Sequence, residues 1–303
     1  MYGIALSVAA CIRAGTRVDV AWIVDGQQAE PSDPNEALAI TPGGGRLGSL
    51  MSGALDGQLT ELAAVQSRQG RLCKLDIGPD DAAVSGAEPA VGIVCMLVPA
   101  SELPDGLWQH LLDREPVCLV SQLDGGSVAT TVLYTSDSIS GAVDSARRMF
   151  DRGASVTGIF DDIVVTVLWP TSTLIIVGSG EIADSLQRLA AVIGWQASTA
   201  GDPREASGLI AGLSPLDSVV VLGHDLELSG GGLMAALESD VGYIGGVGPS
   251  HLQQSRSDWL AYRGFTDLSR IHGPAGLHIG ARNSQEIALA IAAEIVATQT
   301  ASV

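Results

Sequence analysis

The chain has 303 residues, 46% of them hydrophobic, with 34 acidic against 16 basic side chains and a net charge of -18. That much apolar material builds buried cores in one large α/β unit or two ordinary domains, which excludes disorder. The acidic balance opposes the clustered Lys and Arg that a phosphate-tracking surface needs, which excludes nucleic acid as a partner.

The opening MYGIALSVAACIRAG lacks a basic n-region, and Arg13 breaks its apolar run before it could span a bilayer. It reads as an amphipathic first helix rather than a signal peptide or membrane anchor. VDVAWIV, from Val18 to Val24, reads as a buried strand, and the proline-bearing stretch GQQAEPSDPNEA after it as a loop. Residues 41–49, TPGGGRLGS, form a glycine-rich turn that runs into a helix with Leu55, Leu59, Leu62, Ala63 and Gln66 on one face. Ser52 is its expected N-cap, Asp56 complements the dipole, and Gly70 stops it.

Strands are expected at Leu72 to Ile77, Ala90 to Val98, Val117 to Leu123 and Val128 to Tyr134, with helices around Asp105 to Asp113 and Ile139 to Asp151. SVTGIF and IVVTVLW add two more strands before Pro170, which marks a domain boundary: 1–169 and 170–303. Beyond it, strands start at Leu174, Gln196, Ser218 and Val241. They alternate with helices at Ile182 to Ile193, Gly232 to Glu238, Leu252 to Tyr262 and Ser284 to Thr298, with a polar segment after the second strand. That order predicts a parallel sheet covered on both faces, a Rossmann-like α/β domain following an N-terminal α/β accessory domain.

The chemistry-bearing candidates cluster in the second half. TLIIVGSGEIADSLQ places Gly178, Gly180 and Ala183 as a dinucleotide turn between strand and helix: a tight turn, a close backbone approach to pyrophosphate, and a small residue for helix packing. Asp202, about 20 residues on, suits a ribose hydroxyl. Glu181 would repel a pyrophosphate unless it points away. The turn therefore reads either as an NAD(P) site or as a strand-to-helix packing device. His224 and Asp225 close a strand, where a polar ligand or a proton transfer is one reading and hydrogen bonds that fix the next loop are the other. Tyr243 with Gly245, Gly246 and Gly248 forms a turn suited to close backbone approach. Arg256 reads as an exposed helical arginine, with phosphate binding as its alternative.

Lys74 is the only lysine and follows no glycine-rich turn, so a Schiff base and a phosphate-loop lysine both lack support. Cys11, Cys73, Cys95 and Cys118 lie far apart without a CxxC pair. They read as reduced, buried thiols in a cytoplasmic protein rather than as a disulfide or zinc framework. No GxSxG, HExxH or P-loop occurs.

VVVLGHDLE, YIGGVGPS and RIHGPAGLHIGARNSQEIALAIAAEIVA together resemble the xanthine dehydrogenase accessory family, also called XdhC/CoxI. The resemblance rests on Gly223-His224-Asp225, Tyr243-Ile244-Gly245 with Gly248-Pro249, Pro274-Ala275-Gly276-Leu277-His278, Glu286-Ile287-Ala288 and Ala293-Glu294-Ile295. His278 stands where the family has aspartate. The family's Gly-Ser-x-Ser-Gly-Gly-Cys segment is matched more faintly by Gly48-Ser49-Leu50-Met51-Ser52-Gly53-Ala54, where alanine replaces cysteine. A second family signature, Cys-Gly-Gly before a strand, corresponds to the region Gly86-Ala87-Glu88-Pro89, again without cysteine.

The resemblance implies a maturation factor that binds molybdenum cofactor, protects it while a cysteine desulfurase supplies sulfur, and delivers it to a molybdenum hydroxylase apoenzyme. It acts as a chaperone without turnover, as a homodimer or beside a cysteine-bearing paralogue. The retained frame around Gly48, Ser49 and Gly53 offers main-chain N–H groups for the cofactor, while loss of both cysteines removes the soft ligands. An NAD(P)-dependent oxidoreductase and a degenerate scaffold subunit are the alternatives.

Overall fold

The computed structural model describes residues 1–25, 35–223 and 225–301, and the chain divides into two compact units, Met1–Pro170 and Thr171–Val303. The loop expected from Gly26 onward lies, through residue 34, outside the described residues. No helix among the described residues is long and apolar enough to cross a membrane.

The first unit runs α1 (Ala5–Arg13), β1 (Asp19–Asp25), β2 (Leu38–Ile40), β3 (Arg46–Gly48), α2 (Asp56–Ala63), β4 (Arg71–Ile77), α3 (Pro79–Ser85) and β5 (Ala90–Pro99). It continues with α4 (Leu107–Leu112), β6 (Val117–Asp124), β7 (Ser127–Thr135), α5 (Asp144–Phe150), β8 (Val156–Phe160) and β9 (Ile163–Leu168). Nine strands form one antiparallel sheet in the order β3-β2-β1-β5-β4-β7-β6-β9-β8. β4 and β7 meet through a single residue pair, Arg71 opposite Ser127. The sheet curls back on itself, because Trp22 on β1 donates its indole N–H to the Thr166 hydroxyl on β9 at 3.0 Å.

Both faces of the central strands are covered, which is why VDVAWIV and IVCMLVP read as continuous apolar runs. Val20, Trp22, Met96 and Val98 pack with Ala5 and Val8 of α1 and with Leu107 and Leu111 of α4. The alternate residues Ala21, Ile93, Cys95 and Leu97 pack with Leu55 and Leu59 of α2. Leu55 and Leu59 are fully buried, each contributing about 1.5–3 kcal/mol relative to exposure.

The glycine-rich turn at 41–49 is the tip of a hairpin, with Leu38 opposite Gly48 and Ile40 opposite Arg46. Ser52 does not cap the helix as expected: Met51 and Ser52 both take left-handed φ, 51° and 55°, and α2 starts later at Asp56 without a side-chain cap. What fixes this bend is a pair of carboxylates, Asp56 accepting from the Leu50 amide and Glu36 from the Met51 amide, both at 3.0 Å.

The second unit runs β10 (Thr173–Val177), α6 (Glu181–Val192), β11 (Gln196–Ala200), α7 (Pro203–Ile210), β12 (Ser218–Val221) and α8 (Leu226–Leu237). It ends with β13 (Tyr243–Gly246), α9 (Ser250–Tyr262), β14 (Ile271–His272) and α10 (Ser284–Ala301). The sheet is wholly parallel in the order β11-β10-β12-β13-β14, as the alternating pattern predicts. Leu174, Ile176, Val220 and Tyr243 pack under α6 and α10, while Ile175, Val177, Val219 and Ile244 pack under α7, α8 and α9.

Three differences from the sequence reading have local causes. The polar segment after β11 is a helix, α7, which Asp202 caps by accepting from the Arg204 and Glu205 amides at 2.9 Å. α8 begins at Leu226 rather than Gly232, and its glycines admit neighbours: a Cβ on Gly230 would lie 2.6 Å from the Trp259 ring, and one on Gly232 2.9 Å from Val177. Strand β14, two residues long, is a strand that the sequence pattern does not predict.

Gly48 sits at φ +76°, and a Cβ there would lie 2.1 Å from the Ala37 carbonyl oxygen. Gly48→Ala therefore destabilises the first unit by roughly 2–4 kcal/mol through overpacking and left-handed strain. Denaturant unfolding followed by tryptophan fluorescence measures it; wild-type stability in the variant would show that the close approach is relaxed at no cost.

Candidate functional site

In a parallel sheet every strand delivers its carboxyl end to one edge, and ligands bind there, at the point where the chain reverses its direction of travel across the sheet. In the second unit that point lies between β10 and β12, since the chain goes from β10 outward to β11 and then back across to β12. The turn Gly178–Gly180 leaves β10 there and enters α6.

Gly178 completes the strand ladder, donating its amide to the Ala200 carbonyl at 2.9 Å. A Cβ on it would come within 3.1 Å of the Leu222 Cβ. Gly180 is the N-cap of α6, at φ 111° and ψ -176°, with open space where a Cβ would project. No side chain caps α6, and the amides of Glu181, Ile182 and Ala183 find no protein acceptor among the described residues. A helix start with free N–H groups and the positive end of its dipole is suited to an anion. Glu181 does not obstruct it: its carboxylate accepts from the Ser284 hydroxyl at 2.9 Å, at the start of α10. Ala183 is buried and packs the helix onto β10 and β12 with Leu174 and Val220.

The acids expected at the ligand are engaged locally. Asp202 caps α7, and Asp225 caps α8 by accepting from the Glu227 amide at 2.9 Å and the Leu228 amide at 3.4 Å. Of its two readings, the loop-fixing one describes what Asp225 does. His224 lies outside the described residues.

Tyr243 and Gly245 stand inside β13, not in a turn after a strand, so the expected flexible segment shortens to Gly248 and its neighbours. Tyr243 is fully buried. Its hydroxyl donates to Glu294 on α10 at 2.6 Å, and its ring stacks on His272 with centroids 4.7 Å apart. Burial, reinforced by the neighbouring Glu294 carboxylate, raises its phenol far above the usual range. Gly245 is small because a Cβ would strike that ring at 2.8 Å. Gly248 likewise would meet Leu252 at 2.7 Å.

Arg256, expected on the surface, is 1% exposed. It donates to the Gly223 carbonyl at 2.9 Å, the Val247 carbonyl at 2.8 Å and the Gln253 side chain at 3.3 Å, all neutral acceptors, and its Nε has no partner. Burial lowers its pKa to about 10, so the guanidinium keeps its charge at neutral pH. It thus fixes a buried cation at the carboxyl ends of β12 and β13. Sequence missed it because one arginine on a mostly polar helix gives no signal of burial; the glycine at 246, which leaves room for the guanidinium 3.3 Å from its would-be Cβ, is the only trace.

Residues 174–295 match the family model of the XdhC Rossmann domain. The second unit belongs to the XdhC Rossmann-domain family. The whole chain is also similar to a solved structure from Bacillus halodurans described as a xanthine dehydrogenase, at 18% identity and a TM-score of 0.47 over 97% of this chain and 95% of that one. Comparison with curated proteins gives no match.

Within the XdhC Rossmann domain, the free amides at α6 suit the phosphate of molybdenum cofactor. The thiols of the first unit do not suit its metal. Ala54, which the sequence resemblance sets where the family has cysteine, is buried against the α2 core, and Cys73, Cys95 and Cys118 are buried free thiols. Burial pushes the Cys95 and Cys118 thiols up to about 12, so neither supplies the thiolate that a soft metal requires. No group of three or more His, Cys, Asp or Glu among the described residues is placed to hold a metal. The bend at Leu50 and Met51 has its two amides taken by Asp56 and Glu36, and the Gly53 amide donates to the Leu50 carbonyl. Gly48 and Ser49 stand at the hairpin's end, with Gly48 paired to Leu38.

Cys11 is the one partly exposed thiol. At pH 8 a mild thiol reagent should modify Cys11 alone in the native protein, and all four cysteines after denaturation, read by intact-mass spectrometry. Because the folded thiols at Cys95 and Cys118 titrate near 12 rather than 9, their burial supports folding below about pH 9. That support is lost as pH climbs toward 12. Rapid native labelling of Cys95 or Cys118 would show that their burial is not maintained in solution.

Proposed function

We propose that the chain is an accessory factor for a xanthine-dehydrogenase-type molybdenum hydroxylase and that it binds molybdenum cofactor by the phosphate end and delivers it without turnover of its own. The observation that carries this reading is the uncapped start of α6 in an XdhC Rossmann domain. α7 and α8 are capped by their own aspartates and α9 opens on Pro249 without a side-chain cap, whereas α6 opens on glycine with its Glu181 side chain tied to Ser284.

The residues divide the work. The amides of Glu181, Ile182 and Ala183 hold the phosphate, and Gly180 leaves the approach clear. Arg256 raises the local potential from behind while fixing the Gly223 and Val247 carbonyls in place. The cofactor, when bound, supplies the redox chemistry of the client enzyme; this chain contributes binding, orientation and shielding. The hydroxylase apoenzyme and a cysteine desulfurase are the partners this role requires.

A second reading has its own observation. Since Ala54 fills the family's cysteine position as a core residue, the chain also suits a scaffold role, pairing with a cysteine-bearing copy that ligates the metal. The NAD(P) oxidoreductase reading is weakened by Asp202, whose carboxylate caps α7.

Molybdenum cofactor released from a donor enzyme should co-elute with the protein in gel filtration, read by molybdenum analysis and pterin fluorescence. Gly180→Ala, strained at φ 111° and projecting into the phosphate approach, should weaken that association at least tenfold. Absence of co-elution with the wild-type protein would remove the carrier role, and unchanged retention by Gly180→Ala would move the phosphate elsewhere.

A further inference from the structure

The four cysteines lie far apart in the sequence, yet the sheet of the first unit sets two of them face to face. In the pairing of β4 with β5, Cys73 stands directly opposite Cys95. Residues opposite one another across an antiparallel pair project to the same face of the sheet. Both thiols accordingly fall in one core, with Leu55, Leu59 and Ala63. The other two cysteines have no such neighbour. Cys118 on β6 stands opposite Tyr134 and Val167, and Cys11 packs from α1 against the core on the other face.

The backbone bonds of β4 fix which kind of pair this is. Leu72 donates its amide to the Gly126 carbonyl at 2.9 Å, and the Gly70 carbonyl accepts from the Val128 amide at 2.7 Å. Peptide groups alternate in direction along a strand, so those of Cys73 turn the other way, toward β5 and Cys95. A pair that exchanges both backbone bonds holds its Cα atoms about 5.5 Å apart. A disulfide spans Cα separations of about 4.4–6.8 Å, most often near 5.5–6 Å, so the bond fits between the strands as they stand. The two thiols also sense each other: burial, with the adjacent Cys73 as the second cause, pushes the Cys95 thiol up to about 12.

The position of the pair gives such a bond a consequence. β4 meets β7 through one residue pair only, which leaves β5 as its one full-length neighbour. The chain that joins the two cysteines carries α3, and between Gly78 and Ala90 only Ala82 is buried. That segment adds little burial of its own and is held in place by the ladder between β4 and β5.

We infer that Cys73 and Cys95 are a redox pair that a peroxide converts to a disulfide, tying β4 to β5 and closing residues 73–95 into a covalent loop. Cys95 is fully buried and Cys73 is 7% exposed, so peroxide meets Cys73 first. The Cys73 sulfur attacks one oxygen of hydrogen peroxide, the O–O bond breaks, and the hydroxide released takes up the thiol proton, leaving a sulfenic acid and water. The Cys95 sulfur then attacks the sulfenic sulfur. An S–S bond forms, the S–O bond breaks, and the hydroxyl leaves with the Cys95 proton as a second water. Two thiols are oxidised, one peroxide is reduced, and a dithiol reverses the change by exchange. The pair belongs to the first unit alone and is independent of the anion site at α6.

The test uses the full chain with Cys11→Ser, which removes the partly exposed thiol. The folded protein is treated with hydrogen peroxide, its remaining thiols are alkylated in denaturant, and it is digested with trypsin without reductant. Cleavage after Arg71, Lys74 and Arg114 should yield the peptide Leu72–Lys74 joined to Leu75–Arg114. The melting temperature should rise by roughly 5–10 °C, because the cross-link restricts the unfolded chain, and should return on treatment with a dithiol. Cys95→Ala should lose both the joined peptide and the rise; where that variant does not fold, the peptide map of the parent chain decides the pairing. A parent chain in which Cys73 stays reduced, stops at a sulfinic acid or joins Cys118 overturns the inference. A joined peptide with an unchanged melting temperature overturns its stabilising role.

Discussion

The second unit is organised around one carboxylate. Glu294, on α10, accepts the Tyr243 phenol on one side and the Gly276 amide on the other, with His272 stacked over the tyrosine ring. A carboxylate taken from water is costly unless its lone pairs are filled, and charge-assisted bonds of this kind are the stronger sort. Because its donors come from a core strand and from the loop at 274–281, the carboxylate locks strand, loop and helix into one arrangement. The glycine at 245 follows from the same constraint, since the tyrosine ring occupies the space beside it. Much of what looks like a binding motif in the sequence around Tyr243 is the signature of this lock.

The lock also explains how the carboxyl edge of the sheet is divided. Asp202 and Asp225 are spent as caps on α7 and α8, and Arg256 is spent on two carbonyls. Among the amides left without an acceptor in the described residues are the first of α6, the first of α9, which opens on Pro249 without a side-chain cap, and those of His278, Gly280 and Ala281. Acid residues are numerous in the chain, yet at this edge Asp202 and Asp225 cap helices and Glu181 accepts from Ser284, so the edge presents N–H groups and a buried cation despite a net charge of -18. Local arrangement, not overall charge, sets what the edge attracts.

The parallel sheet was legible because its strands are buried on both faces, so TLIIV and SVVV stand out as unbroken apolar runs bounded by glycine or polar turns. The glycine turn at 178–180 was legible for the same reason, with its strand and helix fixed in order. α7 does not stand out although Asp202, Pro203 and Glu205 spell a helix start, because PREASGLI is short and mostly polar. α8 was misread at its beginning because three consecutive glycines contradict helix propensity, and only the packed Trp259 and Val177 side chains supply the compensation. Arg256 and Glu294 could not be placed at all from sequence, since nothing local tells a buried charged side chain from a solvated one. Sequence reads elements through periodicity; it does not read which side chain meets which across the sheet.

Ala54 brings the same distinction to the first unit. A cysteine that ligates a metal has to reach it, but this position lies 7% exposed among Leu50, Leu55 and Leu59, and the bend before it is closed by Asp56 and Glu36 on its own amides. A loop whose donors are satisfied internally keeps its left-handed turn without any ligand, as strained backbone persists only where its surroundings over-determine it. The geometry of this bend therefore stands on folding contacts alone. Glycines and serines in such a bend say little about ligand chemistry once internal carboxylates do the work of an anion.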